Sequence, residues 1–363
     1  MIGLWANDDF HPKWWKLREA ASTDPIKVSK TIVRQVVEGH EAILVENAVL
    51  QFPNEDSLHS LPFVSLMCAP MTNVDGQVFG ILQIDAAAEH GFSSADLELM
   101  ATVAILVSFA INCVRLHEET LSQKAIARDL KLARVVQNEF LPNSPPKVQS
   151  YEFADCYEPA RFIGGDYFDY VLLADGCTAI VLADVVGKGA PAALYMARMA
   201  METRACISQF QGPSAILSEL NRRLSLRFAT FVICVLDPVS HLVTIANAGH
   251  RPPVCRRSDG TLQSLGESNS GYPFGVQVDT AFEEVSYQLE PGDSISLFSD
   301  GFEDAHNESA NDYFGIERIR ESIEQTTGGP TEIVQELVRR TKAFAAGTMQ
   351  LDDMCIVTFQ RVG

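Results

Sequence analysis

Residues 178–192, Thr178-Ala179-Ile180-Val181-Leu182-Ala183-Asp184-Val185-Val186-Gly187-Lys188-Gly189-Ala190-Pro191-Ala192, admit two folds. Thr178–Val185 is an apolar, branched run of strand length, and it closes on a carboxylate. The Gly187-Lys188-Gly189-Ala190-Pro191-Ala192 string follows that strand and opens a helix, which mimics a dinucleotide-binding turn. A dinucleotide unit would continue into a second parallel strand, with an acid ~20 residues beyond the glycines. Here the helical pattern runs on through Phe210, and Asp184 stands where a cofactor phosphate would approach. The dinucleotide reading is therefore set aside, and Asp184 becomes the residue to explain.

Three further acidic sites repeat the pattern. Asp166 follows Gly164-Gly165, Asp300 ends Ile295-Ser296-Leu297-Phe298-Ser299 and precedes Gly301, and Asp352-Asp353 precede Met354-Cys355-Ile356-Val357. One aspartate at a strand end is ordinary turn chemistry. An ionised carboxylate beside an apolar core is costly unless a cation accompanies it. Several gathered together would also raise one another's pKa. Divalent cations answer both problems. Oxygen donors without neighbouring His or Cys point to Mg²⁺ or Mn²⁺ rather than Zn²⁺.

The surrounding chain alternates in a looser way. Strand-like runs are 166–173, 178–185, 231–237, 242–248, 294–300 and 354–359, and helical runs are 191–210, 213–227, 316–325 and 331–345. Strands in groups with helices in pairs predict an α+β fold rather than strict alternation.

Upstream, Pro25–Gly39 has helical spacing, and Ala42–Ala48, Phe63–Met71 and Val78–Asp85 read as strands, the last two joined by an Asn73-Val74-Asp75-Gly76 turn. Ser93 caps a long helix with Asp96 and Glu98 in its first turn. Its periodicity runs from Leu97 towards Phe140, where Ile126, Leu130, Ala133 and Phe140 share a heptad stripe that Gln137 interrupts. That pattern suits a parallel two-helix linker, hence a homodimer, or else one amphipathic helix on its own domain. Pro142, Pro145 and Pro146 stop the helix. The expected organisation is 1–114, a helical linker 115–149, and 150–363.

Composition narrows the class. With 47 Asp plus Glu against 28 Lys plus Arg, the formal charge is −19, which argues against a nucleic-acid surface. No uncharged apolar run of about 18 residues occurs, so no membrane span is expected. The opening residues lack the pattern of a secretory signal. The eight cysteines form no CxxC pair, and a cytoplasmic, reduced setting is expected.

Five strings occur in one order: Pro159-Ala160-Arg161-Phe162-Ile163-Gly164-Gly165-Asp166, Asp184-Val185-Val186-Gly187-Lys188-Gly189, Asn247-Ala248-Gly249-His250, Ser299-Asp300-Gly301 and Asp352-Asp353-Met354. Together, across about residues 130–361, they resemble the bacterial PPM-type serine/threonine phosphatases of the SpoIIE/RsbU kind. The resemblance implies a β-sandwich flanked by helices and two Mn²⁺ or Mg²⁺ ions at one end. It implies that Asp184 bridges the ions, that the Val185 carbonyl and Asp166 serve the first, and that Asp300 and Asp352 serve the second, with Asp353 in reserve. It implies phosphoserine or phosphothreonine substrates on a regulatory protein, such as a STAS-type antagonist of an anti-sigma factor. All the acidic positions are intact, which disfavours a dead homologue. Eukaryotic relatives carry a His two places after the bridging Asp, and Val186 stands there, so the leaving-group acid is unassigned. Arg161 is a candidate phosphate contact, since guanidinium matches phosphate oxygens in a fork. His250, beside prolines, reads as turn-stabilising.

Ala42-Ile43-Leu44-Val45, Leu66–Met71, Gly76–Asp85 and Phe92–Leu97 resemble the C-terminal two-thirds of a GAF sensor domain, with the opening helix and strand missing or replaced by the first ~25 residues. The second function class is accordingly a sensor or binding module whose phosphatase is silent.

Overall fold

The computed structural model describes residues 1–6, 9–14, 29–46, 65–86, 91–224 and 227–363. Two compact units, Met1–Ala125 and Ile126–Gly363, divide the chain.

In the first unit, β1 (Ile2–Ala6), β2 (Asp9–Trp14), β3 (Ile43–Val45), β4 (Ser65–Thr72) and β5 (Val78–Ala86) form one sheet in the order β2-β1-β5-β4-β3. The opening residues thus supply two strands of their own: β1 and β2 form a hairpin that joins the sheet along β5. Helix α1 (Lys30–Gly39) begins at Ser29, whose hydroxyl accepts the Ile32 N–H at 3.4 Å. Residues 25–28 of the predicted helix lie outside the described residues, as do 47–48 and 63–64 of two predicted strands. Ile32, Val33 and Val36 of α1 bury against Val45, Leu66, Cys68 and Ile81, because a 3.6-residue spacing gathers them on one side. The β4–β5 turn closes as its chemistry requires: Asn73 Oδ1 accepts the N–H groups of Asp75 and Gln77 at 3.0 and 2.8 Å.

Helix α2 (Ser94–Asn138) starts where Ser93 and Asp96 exchange hydrogen bonds. One window of 18 residues within it has a mean hydropathy of 2.1, and only 17% of that window is buried. By length and composition alone α2 is long and apolar enough to cross a membrane, a property that the search for an uncharged run did not reveal. A strictly uncharged run was the wrong criterion, since one or two charges in a window do not cancel the hydropathy of the rest. Ile105, Leu106 and Phe109 are about two-thirds exposed in the chain by itself.

The second unit stacks two antiparallel five-stranded sheets. One runs β13-β10-β9-β8-β7, from β7 (Tyr167–Leu172), β8 (Thr178–Val185), β9 (Ala229–Asp237), β10 (Leu242–Ala248) and β13 (Glu284–Gln288). The other runs β12-β11-β14-β17-β6, from β6 (Tyr151–Glu158), β11 (Val254–Arg256), β12 (Leu262–Ser264), β14 (Ser294–Phe298) and β17 (Met354–Arg361). A small pair, β15 (His306–Asn307) and β16 (Asp312–Tyr313), stands apart. Ile180, Leu182, Ile233 and Ile245 of the first sheet share one core with Ile295, Val357 and Phe359 of the second. Each such side chain contributes about 1.5–3 kcal/mol by leaving water.

Helices α3 (Ala190–Gln209) and α4 (Pro213–Arg223) pack on the first sheet. Helices α5 (Gly315–Gln325) and α6 (Pro330–Ala345) cover the second through Ile319, Ile323, Ile333 and Leu337. Strand β8 is antiparallel to both neighbours, which excludes the parallel dinucleotide unit. Strand β6 has no counterpart in the sequence reading because its residues mix polar with apolar. As an edge strand it buries only part of itself, yet it pairs with β17 along its whole length.

Candidate metal centre

Antiparallel pairing decides where the acids meet. Register places Tyr167 opposite Ala183 and Val185 opposite Ala229, so β7 begins where β8 ends. In the facing sheet Phe298 lies opposite Ile356, so β17 begins where β14 ends. Asp166 immediately precedes β7, Asp184 is the penultimate residue of β8, Asp300 lies two residues past β14, and Asp352-Asp353 precede β17. Four chain segments distant in sequence therefore deliver carboxylates to one end of the sandwich.

Their charges feel one another. Asp166 is fully buried and its carboxyl is held well above the usual range, first by desolvation and then by the charges of Asp184 and Asp353. Asp184 rises to about 7, first from burial and then from Asp300. Asp300 rises to about 6 from burial and from Asp352. Asp166 Oδ2 is buried with no hydrogen-bond partner. Among the described residues no group of three or more His, Cys, Asp or Glu side chains is positioned to hold a metal ion as the side chains stand. The acids form an open cluster. An all-oxygen donor set, an orphaned buried carboxylate oxygen and uncompensated repulsion are what a hard divalent cation relieves, so the residues present fit such an ion.

Asp353 has a separate task. Its Oδ1 accepts the Ala160 N–H at 2.7 Å and its Oδ2 the Gly165 N–H at 2.6 Å, while its carbonyl accepts the Ser299 hydroxyl at 3.0 Å. With both oxygens engaged, it clasps the 160–165 loop to the start of β17, and Asp352 is the more exposed of the two acids. The glycines around it are spatial requirements. A Cβ on Gly164 would collide with the Asp353 carboxylate, and one on Gly301 with the Asp353 carbonyl. A Cβ on Gly165 would stand 2.9 Å from the Val185 carbonyl oxygen, one of the expected ligands.

A cavity of about 380 Å³ opens beside Asp184 and Asp300 and is lined also by Thr230, His250 and Arg251. His250 is buried. Its Nε2 lies 3.2 Å from the Phe298 carbonyl, which can only accept, so that nitrogen carries the proton. Nδ1 then accepts from the Thr230 hydroxyl at 2.7 Å. Burial lowers the imidazole to about 4, so it is neutral at neutral pH. Asn247 brackets the same turn, accepting the His250 N–H at 2.8 Å and donating to its carbonyl at 2.9 Å. Both residues thus shape the turn, and His250 in addition orients Thr230 at the cavity wall.

Two basic residues meet the acids: Lys188, which the sequence offered as a phosphate attractor or a simply exposed turn residue, and Arg251, to which it gave no role. Lys188 forms an ion pair with Asp352 at 2.9 Å, and Arg251 pairs with Glu303 at 2.7 Å on the cavity rim. Arg161 is exposed and is not among the cavity-lining residues. Val186, where a general-acid His stands in eukaryotic relatives, is exposed. A larger recess of about 560 Å³ lies at the other end of β7, around Leu172 and Phe210, and none of the five acids lines it.

The family model described as Stage II sporulation protein E (SpoIIE) matches residues 174–362, and that of the GAF domain matches residues 6–111. Over 265 residues the chain is 25% identical to Protein IcfG of Synechocystis sp., covering 64% of this chain and 41% of that one. Over 193 residues it is 30% identical to phosphoserine phosphatase RsbU of Bacillus subtilis, covering 52% of this chain and 57% of that one. The chain thus spans about half the length of the curated relatives it matches. The SiaA-PP2C domain of Pseudomonas aeruginosa superposes with a TM-score of 0.59 at 22% identity, covering 66% of this chain and 98% of that one, which establishes a shared fold.

Proposed function

The chain belongs to the SpoIIE family of PP2C-type serine phosphatases and carries an N-terminal GAF domain, and from that premise we propose that it hydrolyses phosphoserine or phosphothreonine on a regulatory partner protein. Phosphatases of this family are metal-dependent. The observation that carries the reading is the convergence of Asp166, Asp184, Asp300 and Asp352 at one end of the sandwich, with Asp166 Oδ2 buried and unpartnered. Asp184 would serve both of two Mn²⁺ or Mg²⁺ ions. The Val185 carbonyl and Asp166 would hold one, and Asp300 and Asp352 the other, Lys188 giving up its pairing with Asp352. Bound there, such ions would make a water molecule more acidic near neutral pH and would offset phosphoryl charge. Asp353 keeps its loop in place and remains second choice to Asp352 as a ligand.

Arg251 is the guanidinium best placed for the phosphate, since it lines the cavity beside Asp184 and Asp300 and, among the described residues, its side chain is tethered by Glu303 alone. A charge-assisted pair of this kind is worth ~1.5–3 kcal/mol, or about tenfold or more in binding. The test is Mn²⁺-dependent phosphate release from a phosphoserine protein such as a STAS-type antagonist. Release should vanish on chelation. Arg251→Ala should raise KM about tenfold with kcat little changed, and Arg161→Ala, the arginine singled out by sequence, should change KM less. No release from any phosphoserine or phosphothreonine protein would leave the alternative, a sensor or binding module with a silent phosphatase. A larger effect at Arg161 would return the phosphate contact to that loop.

The exposed apolar residues of α2 fit a second copy of this chain, with the GAF domain regulating turnover through that dimer. Charged residues fill the remaining faces of α2 beyond residue 115, as in a two-helix linker rather than a span. Phe109→Lys should convert a dimer to monomer in sedimentation velocity. A wild-type monomer that partitions into lipid vesicles would refute the dimer.

A further inference from the structure

Gln137, the penultimate residue of α2, breaks its apolar stripe, and the structure gives that break a purpose. The side chain is 6% exposed. Its Nε2 donates to the Gly164 carbonyl at 2.7 Å, and the Gly164 N–H donates to its Oε1 at 3.3 Å. Both backbone groups of one buried residue are satisfied by one amide, which carries a donor and an acceptor side by side at any pH. On its other flank the same loop is clasped by Asp353 through the N–H groups of Ala160 and Gly165. Gly164 can sit between the two holders because it has no Cβ to strike Tyr157 and Asp353. The chain then passes through Gly165 to Asp166, whose Oδ2 is buried and unpartnered and whose carboxyl feels the charges of Asp184 and Asp353.

We propose that Gln137 is a positioning residue that sets the Gly164–Asp166 loop for cation binding, so that the last turn of α2 and the first metal position form one mechanical element. The proposal rests on the metal-phosphatase reading and adds to it the route by which the linker helix acts on that site. Displacing or rotating the end of α2 withdraws the amide, and the loop then loses one of its two holders. Gln137→Leu keeps the bulk but leaves the Gly164 N–H and carbonyl buried and unpaired. Gln137→Glu keeps the acceptor for the N–H and loses the donor.

Two readouts on the full chain test this. Without metal, hydrogen exchange across residues 160–167 should be faster in Gln137→Leu than in wild type, with Gln137→Glu between them. In calorimetric titration with Mn²⁺, Gln137→Leu should bind about tenfold more weakly, within the ~10–100-fold range for outer partners of ligating groups. Gln137→Glu should again fall between. A residue that served stability alone would lower the melting temperature and leave the folded protein's Mn²⁺ affinity where it was. Unchanged exchange in the loop, or unchanged Mn²⁺ affinity in either folded variant, overturns the proposal. Absence of Mn²⁺ binding by the wild type would instead overturn the metal reading, and the exchange arm would still report whether Gln137 holds the loop.

Discussion

Asp184→Asn should abolish phosphate release while leaving the fold intact and the metal-free protein more stable. Asparagine keeps the shape of the side chain and removes its charge, and the charge is what two cations would share. The rate should fall at least about a thousandfold, the upper scale for losing one preorganised electrostatic stabiliser. The gain in stability follows from the cluster. Asp184 ends a buried strand within reach of the charges of Asp300, Asp352 and Asp353, and deleting it removes that repulsion. A relief of ~1–2 kcal/mol would raise the melting point in chelator by a few degrees for a unit of this size. Melting curves in chelator and in Mn²⁺ check both halves. Wild type should be stabilised by Mn²⁺ and the variant barely or not at all. A variant with near-normal turnover, or one as strongly stabilised by Mn²⁺ as wild type, would remove Asp184 from the centre of the site.

The second large effect is a reversal of pH dependence by metal. Burial and mutual repulsion hold Asp184 at about 7 and Asp300 at about 6, both above the ordinary value of about 4 for an unfolded aspartate. Between roughly pH 4 and 7 the folded chain therefore binds more protons than the unfolded chain, and stability falls as pH rises through that window. A tenfold change in proton affinity corresponds to about 1.4 kcal/mol. After discounting for the coupling between the acids and for the partial exposure of Asp300, the cluster should cost on the order of 2–4 kcal/mol at pH 8 relative to pH 5. The difference between wild type and Asp184→Asn, measured at both pH values in chelator, isolates the cluster from other titrating groups. With Mn²⁺ present the sign inverts, because cations bind the deprotonated carboxylates and must displace those protons. Mn²⁺ affinity should weaken by ~10–100-fold from pH 7.5 to pH 5.5. An affinity independent of pH over that range would mean that the acids are already ionised and that the inferred repulsion is absent.

The acids were legible because a carboxylate at the end of an apolar strand is locally anomalous. Ile180–Ala183 before Asp184 and Ile295–Phe298 before Asp300 are buried runs that no charge would adjoin without a reason. The roles within the cluster were less legible. Asp352 and Asp353 are adjacent and chemically identical, and only their hydrogen bonds separate them: Asp353 spends both oxygens on backbone N–H groups, while Asp352 meets Lys188. Arg161 drew attention through its distance from Asp166 along the chain, whereas Arg251 reaches the cavity through the turn after β10. Gln137 was visible as an irregularity in a helical stripe, but the irregularity alone could not say that a glycine backbone lay opposite. The edge strands β2 and β6 escaped because an edge strand need not alternate cleanly.

Sequence alone determined the α+β class, the family and the list of acids, since these depend on local periodicity and on strings read in order. Tertiary structure alone decided which of the acids face one another, which one clasps a loop and which arginine lines the cavity. The physical reason is that desolvation, repulsion and hydrogen bonding act over a few ångströms, and residues as remote as Gln137 and Gly164, or Ala160 and Asp353, come within that range only after two antiparallel sheets have packed. The acid surplus of −19 is a property of composition, whereas the four or five charges that matter are defined by the end of the sandwich on which they land.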